Sequence, residues 1–139
     1  MIDSVNKIIL EIEGKIGEEN FDSEIEGQIE DLKSIGNVDL DVIDKLLHLF
    51  EKNLNFEFGS PGELTHYLES FYKHGYEEKL IESIQRIPTE HTLWMLHRII
   101  NGSSNQEKEI YLKILKSIYS DKSIDQKIRT IAKEFYELH

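Results

Sequence analysis

The chain has 139 residues, no cysteine, and 27 acidic side chains against 16 lysines and arginines, which gives a net charge of −11. Its length predicts a single domain over residues 1–139, and the missing cysteine excludes disulfides, thiolate zinc sites, iron–sulfur clusters and a thiol nucleophile. The acidic balance argues against direct nucleic-acid binding, because affinity for phosphate groups comes mainly from lysine and arginine.

The N-terminal segment has neither a basic start nor an unbroken apolar run, so we expect no signal peptide. No apolar stretch in the sequence approaches the roughly 18 residues that a membrane helix needs. Together with the absence of cysteine, which fits a reducing compartment, these features predict a cytoplasmic protein that has no membrane partner.

Apolar residues recur every three or four positions along the chain, which is the spacing of one face of an α-helix. The segment Phe56-Glu57-Phe58 alternates but is too short to indicate a strand. The pattern predicts an all-α fold of seven to eight short antiparallel helices, arranged as HEAT-like stacked hairpins or as an irregular helical bundle. The apolar stripes cover residues 5–16, 21–32, 40–54, 64–71, 76–84, 93–100, 110–118 and 124–135.

Signals for helix starts precede several of these stripes. In a capping box, the first side chain accepts a hydrogen bond from a free backbone N–H, and the side chain three residues later reaches back to it. The agreement between such signals and the stripes supports the helical prediction. The predicted signals are capping boxes at Ser60 and Glu63, Ser104 and Glu107, and Ser123 and Gln126, an N-cap at Thr89, and Pro61 as the first residue of its helix.

One predicted helix, over residues 89–100, carries four consecutive apolar residues from Leu93 to Leu96. Such a run covers most of the circumference of a helix, which is typical of a central helix. We therefore expect this helix to organise the core.

Patterns that would indicate an enzyme or a metal site are incomplete. Glu63 and His66 have the Glu-x-x-His spacing of di-iron bundles, but the sequence has no second copy of this element. It also has no H-E-x-x-H motif, no G-x-S-x-G motif and no phosphate-binding glycine loop. We therefore expect no catalytic residue, no metal, no cofactor and no small-molecule substrate.

Acidic residues are concentrated in the first part of the chain. Residues 1–58 contain 15 acidic and 5 basic side chains, whereas residues 59–139 contain 12 and 11. The densest run starts at Glu18, and on one continuous helix Asp22, Glu26 and Glu30 would share a face. Such a field attracts a basic protein surface, but a solvated face that only keeps the protein soluble has the same pattern. The acidic residues predicted to bind a partner are Glu19, Asp22, Glu24, Glu26, Glu30 and Asp31.

Aromatic residues around Gly75 are a second candidate for the partner-binding surface, since tyrosine and tryptophan are enriched at the strongest contacts of protein interfaces. At helical spacing most of these residues are expected in the core. Tyr72 and Tyr76 flank the glycine at a helix junction, and we expect these two to reach solvent and contact the partner.

Two motifs in the middle third of the chain carry a family resemblance, G-S-P-G-E-L-x-H-Y-L-E-x-F-Y and R-x-P-T-x-x-T-L-W-M-L-x-R-I-I-N. They resemble a family of small all-α immunity proteins from bacterial polymorphic-toxin systems of the contact-dependent inhibition type. The matching residues are Gly59, Ser60, Pro61, Gly62, Leu64, Glu69, Tyr72, Pro88, Thr89, Thr92, Trp94, Leu96, Arg98 and Asn101.

The resemblance implies a protein without catalytic activity that binds and neutralises a cognate toxin, often a nuclease with a basic surface. The acidic first part of the chain would then steer the toxin into the complex. Two other functions remain open at this point. One is a general helical scaffold or adaptor that docks a peptide or protein in a groove, and the other is an enzyme of unrecognised type, which would need a deep pocket with clustered polar groups.

Overall fold

The computed structural model describes residues 2–36, 39–59 and 61–139, with side chains from residue 4 onward within these ranges. About 72% of the chain is helical and the described residues form no strand, so the all-α prediction is confirmed. Nine helices are present in this part of the chain, because the second apolar stripe is divided between two helices and each other stripe corresponds to one. None of the helices described is both long and apolar enough to cross a membrane.

The chain divides into two compact units, Met1–Lys79 and Leu80–His139. The prediction of one domain over residues 1–139 stays a prediction. The helices of the first unit are α1 (Ile2–Gly14), α2 (Phe21–Glu24), α3 (Glu26–Ile35), α4 (Leu40–Lys52) and α5 (Glu63–Glu69). The boundary between the units falls within α6 (Tyr76–Arg86), and the helices that follow are α7 (Glu90–Asn101), α8 (Asn105–Ser120) and α9 (Gln126–Glu137).

In the first unit, α1 packs against α3 and α4, and α3 packs against α5. Most buried residues on these helices fall within the apolar stripes, since a helix must bury its apolar face against another element. Fully buried side chains on these helices include Ile12, Leu32, Leu46, Leu47, Leu64 and Leu68.

Tyr67, on α5, buries a hydroxyl that has no hydrogen-bond partner among the described residues. Burial raises the pKa of this phenol to about 12, because the ionised form would lose its hydration. The ring itself packs edge-on against Phe71, with ring centroids 5.3 Å apart. The hydroxyl therefore carries a desolvation cost, while the ring contributes to packing.

Replacing Tyr67 with phenylalanine is expected to stabilise the protein by up to about 1 kcal/mol, because the change removes an unpaired buried polar group and keeps the ring. Urea unfolding measures this change in the free energy of unfolding. Tyr67→Ala is the control and should cost about 3 kcal/mol or more, since it also removes the ring. A loss of stability in Tyr67→Phe similar to that in Tyr67→Ala would show that the hydroxyl is paired.

In the second unit, α7 packs against both α8 and α9, and α8 packs against α9. Leu93, Met95 and Leu96 on α7 are fully buried, which fits the expectation that this helix organises the core. Trp94 differs from its neighbours because it is only half-buried, and the Arg98 guanidinium lies 5.1 Å from its ring centroid.

Two of the predicted helix starts are confirmed. Thr89 caps α7, because its hydroxyl accepts from the Thr92 N–H at 3.0 Å and the Thr92 hydroxyl accepts from the Thr89 N–H at 3.2 Å. Ser104 and Glu107 form the predicted capping box of α8, with the Ser104 hydroxyl accepting from the Glu107 N–H at 3.3 Å.

Two further predictions about helix starts, at Ser123 and at Pro61, differ from the structure. Helix α9 is capped by Asp125, whose carboxylate accepts from the Lys127 N–H at 3.2 Å, so the capping box at Ser123 and Gln126 is wrong. Ser123 instead donates its hydroxyl to Asp121 at 2.6 Å.

Helix α5 begins only at Glu63, with Gly62 as its N-cap residue, so Pro61 is not its first residue as predicted. Ser60 lies outside the described residues, so the cap predicted there stays a prediction.

The end of the second unit contains a contact between two histidines. The Nδ1 atom of His97 lies 2.8 Å from the Nε2 atom of His139, and the His97 ring also stacks on Phe135 at 4.7 Å. The pKa of His97 is lowered by burial and then by His139 and Arg98. The pKa of His139 is lowered by burial and then by Lys108.

This histidine contact is expected to weaken as the pH falls from 7.5 to 5. Because both pKa values are lower in the folded protein than the ordinary 6.5, the stabilising contribution is complete above about pH 6.5 and is lost as the pH falls through the lowered pKa values. A hydrogen bond between the rings also needs one unprotonated nitrogen, so it is lost once both rings are charged.

The measurement is thermal unfolding from pH 7.5 to 5, together with NMR signals of the last helical turn. His97→Gln should show a shallower dependence of stability on pH than the unmodified protein. His74→Gln is the control, because His74 is exposed and takes no part in the histidine contact. Identical pH dependence in the His97 variant and the unmodified protein would contradict this prediction.

Candidate protein-binding surface

The acidic residues predicted to bind a partner all lie at the surface. We call them the acidic face, and each of the six is exposed: Glu19, Asp22, Glu24, Glu26, Glu30 and Asp31. Their exposure makes contact with a partner sterically feasible. Their role in binding stays a prediction.

The backbone around Ile25 divides the acidic face between two helices. Helix α2 ends at Glu24 and α3 begins at Glu26, with Ile25 between them in a right-handed helical conformation (φ −97°, ψ 0°). Glu26 and Glu30 lie one turn apart on α3, as expected. The prediction that Asp22 shares their regular helix is wrong, because Asp22 belongs to α2.

Asp22 has a structural contact within the first unit. Its Oδ1 atom accepts a hydrogen bond from the Glu63 N–H at 3.2 Å, at the start of α5. The first N–H groups of a helix have no partner within the helix, so this carboxylate takes the place of a local cap. One member of the acidic face therefore stabilises the connection between α2 and α5.

Little of the charge on the acidic face is neutralised by the described residues. Lys33 pairs with Glu30 at 3.3 Å, on the exposed side of α3. Lys15 donates to the backbone carbonyl of Glu24 at 2.7 Å and to the side-chain oxygen of Gln28 at 3.2 Å. Both acceptors are amide oxygens, so neither hydrogen bond pairs Lys15 with a carboxylate of the acidic face. The remaining four carboxylates make no hydrogen bond or ion pair with the described residues: Glu19, Glu24, Glu26 and Asp31.

An open cleft of about 390 Å³ lies beside α2, between residues 17–22 and residues 56–59. It combines an aromatic wall with an acidic rim, and we call it the aromatic cleft. The wall is made by Phe21, Phe56 and Phe58, and the rim carries Glu18, Glu19, Asp22 and Glu57. It therefore joins Glu19 and Asp22 of the acidic face to Glu18, which begins the predicted acidic run, and to Glu57, which sequence reasoning did not assign to the site.

The aromatic wall is fixed by edge-to-face packing. Phe56 lies with its ring centroid 5.1 Å from that of Phe21 and 4.9 Å from that of Phe58, at interplanar angles above 80°. Phe58 continues the cluster to Phe50 on α4, at 4.6 Å. Edge-to-face pairs add about 0.5–1.5 kcal/mol each beyond the burial of area, so this packing stabilises the wall. Phe56 is the half-buried ring of this set, and the others are buried.

A sequence signal for the aromatic cleft was present in Phe56-Glu57-Phe58. Alternation places two aromatic rings on one side of an extended segment and the carboxylate on the other. This segment has no regular secondary structure, and Glu57 is exposed while Phe58 is buried. The sequence does not show that this segment lies next to residues 17–22, because these residues are more than 30 positions earlier in the chain.

The structure separates the two tyrosines that were predicted to contact a partner. Tyr72 is half-buried, in the turn after α5, and its role stays a prediction. Tyr76 is only 1% exposed, so the expectation that it reaches solvent is wrong. The physical reason is its position one and two turns before Leu80 and Ile84, which are also fully buried on the same side of α6.

The described residues contain no group of three or more histidine, cysteine or acidic side chains that could hold a metal ion. His66, half of the Glu-x-x-His element, lies 3.7 Å from Glu69 at the surface of α5. Glu63, the other half, begins α5.

Comparison with known proteins gives no match, neither to a family model nor to a curated protein nor to a solved structure.

Proposed function

We propose that this chain is an immunity protein without catalytic activity, which binds a cognate bacterial toxin domain with a basic surface and blocks it. The observation that carries the proposal is the acidic face, where four of six exposed carboxylates have no partner among the described residues. The resemblance of the middle third of the chain to immunity proteins supports a toxin as the partner.

The charge distribution gives this function a physical mechanism. Residues 1–58 carry 15 acidic side chains against 5 basic ones, and the acidic face lies on their surface. A concentrated negative field raises the rate of encounter with a basic protein, and association rates can rise by about 10–10³-fold through such steering. Tight binding then needs an interface of about 800 Å² on each partner, with a desolvated centre.

The direct test mixes the purified chain with the toxin domain encoded beside its gene. We expect a stoichiometric complex in calorimetry and loss of the toxin's activity when the two proteins are present in equal amounts. Absence of a complex at micromolar concentrations would contradict the proposed function.

Removing charge from the acidic face is expected to slow association with this toxin. The variant is the combination of Glu24→Gln, Glu26→Gln, Glu30→Gln and Asp31→Asn, which leaves Asp22 in place to stabilise α5. The association rate constant should fall by about 10-fold at low ionic strength and should depend less on salt. Stopped-flow fluorescence over a series of salt concentrations measures both quantities.

A matched variant separates the position of the charges from the total charge. It replaces four exposed glutamates on α6, α8 and α9 with glutamine, and it changes the net charge by the same amount: Glu78, Glu109, Glu134 and Glu137. Its association rate should stay close to that of the unmodified protein. Equal slowing in both variants would show that net charge alone matters and that the acidic face has no special part in docking.

A further inference from the structure

The aromatic cleft has a pattern of charge and shape that the acidic face alone does not have. Its rim carries three exposed carboxylates, from Glu18, Glu19 and Glu57, that make no hydrogen bond or ion pair with the described residues. None of the residues that line it is basic. Its volume of about 390 Å³ lies in the lower part of the range of roughly 300–1,000 Å³ typical of ligand pockets.

The wall of the aromatic cleft adds a second, independent property. Phe56 lines the cleft and stays half-buried, although it belongs to a cluster of four packed phenylalanines. Aromatic rings attract cations through their quadrupole and also pack against aliphatic chains. An apolar wall beneath an unneutralised acidic rim therefore matches a ligand with an apolar stem and a positive head.

We propose that the aromatic cleft receives a lysine or arginine side chain from the basic protein partner. These side chains place an aliphatic stem against apolar surface while the charged head reaches polar groups, which is the arrangement that the cleft offers. The inference rests on the proposed function, because it takes a basic protein as the partner, and it identifies where that partner is anchored. The acidic face would steer the partner, and the aromatic cleft would hold one of its cations.

The first test uses a peptide probe and the full chain. The probe is a capped Gly-Lys-Gly-Lys-Gly peptide, and its control is the same peptide with both lysines Nε-acetylated. We expect saturable NMR shifts of the amides of Gly17, Glu19, Glu57 and Gly59 with the charged peptide only. Phe56→Leu should weaken the binding about 3-fold, since it removes the ring and keeps an apolar side chain.

Two results of the peptide titration would overturn the inference. One is a set of shifts that is spread equally over α3 and the cleft, because this pattern indicates general attraction of charge. The other is the same response to the acetylated peptide, because that peptide has no positive head. If Phe56→Leu does not fold, the exposed pair Glu18→Gln and Glu57→Gln decides instead, and unchanged peptide affinity in that pair contradicts the inference.

The second test uses the toxin and separates this inference from the proposed function. Glu18→Gln, Glu19→Gln and Glu57→Gln form the cleft variant, and Glu24→Gln, Glu26→Gln and Asp31→Asn form a control with the same change in charge. The cleft variant should dissociate about 10-fold faster than the control variant. If the toxin binds and both variants dissociate at the same rate, the cleft inference is wrong and the proposed function stands. If the toxin does not bind while the charged peptide still binds in the cleft, the proposed function fails and the cation site stands.

Discussion

Replacing Glu77 with alanine is expected to destabilise the protein by about 1.5–3 kcal/mol, which is the range for hydrogen bonds to charged groups. Glu77 is a buried carboxylate at the start of α6, and both of its oxygens accept from the Lys73 N–H, at 2.9 and 3.0 Å. Lys73 has a φ of 65°, so this hydrogen bond fixes a backbone conformation that residues with a side chain rarely adopt. Without the carboxylate, the turn between α5 and α6 loses this contact and keeps its backbone hydrogen bonds.

The neighbouring glutamate provides a matched control for Glu77. Glu78 is exposed on the same turn of α6, and Glu78→Ala should change stability by no more than about 0.5 kcal/mol. Glu77→Gln keeps one acceptor oxygen, so its loss should lie between the two alanine variants. Urea unfolding of the three variants checks this order, and equal stability of the Glu77 and Glu78 alanine variants would contradict it.

The helices could be predicted from sequence because burial imposes a period that the sequence must carry. Each of the eight apolar stripes corresponds to helical structure. Most apolar residues of the first six stripes are buried, whereas Ile124, Ile128, Ile131 and Phe135 of the last stripe are half-buried. The division at Ile25 could not be predicted in this way. Ile25 is fully buried, so the stripe continues through it while the regular helix does not. Periodicity reports which side chains are buried and does not report which backbone hydrogen bonds form.

Helix starts were predictable where the cap is local. Thr89 and Ser104 find their partners three residues later, which the sequence shows directly. At α9 the N-cap residue is Asp125, directly before the helix, and Ser123 donates to Asp121 instead. At α5 the first N–H is satisfied by Asp22, which lies 41 positions earlier in the chain. A cap from a distant residue has no local sequence signal.

The candidate site was predicted only in part, because contacts between residues that are distant in the chain have no local sequence signal. The exposed acidic residues were recognisable because charge density is a local property of the sequence. The aromatic cleft needs residues 17–22 and 56–59 to meet, and this contact depends on how α1, α3 and α4 pack. For Tyr76 the sequence did contain the relevant information. Its spacing to Leu80 and Ile84 indicated a buried position, although its place beside Gly75 was taken to predict exposure.

Replacing Gly62 with alanine is expected to destabilise the first unit by about 3 kcal/mol or more. Gly62 has φ 87° and ψ 161°, in a region that only glycine adopts without strain. A Cβ atom there would lie 1.9 Å from the carbonyl oxygen of Phe58 and 3.3 Å from Oδ1 of Asp22. Because the first contact is with backbone, relief requires the backbone at Phe58 to move, and Phe58 belongs to the wall of the aromatic cleft.

Gly17 provides the control for Gly62, because it also has a positive φ, of 102°, but a Cβ atom there would meet nothing within 4 Å. Gly17→Ala should therefore lower the free energy of unfolding by only about 1–2 kcal/mol, which is the cost of a positive φ for a residue with a side chain. In Gly62→Ala the backbone clash adds to this cost. Urea unfolding measures the difference between the two variants, and equal losses would contradict the clash. If Gly62→Ala folds, we also expect it to bind the charged lysine peptide more weakly. The reason is that the backbone at Phe58 must move to make room for the new Cβ atom, and Phe58 is part of the aromatic wall.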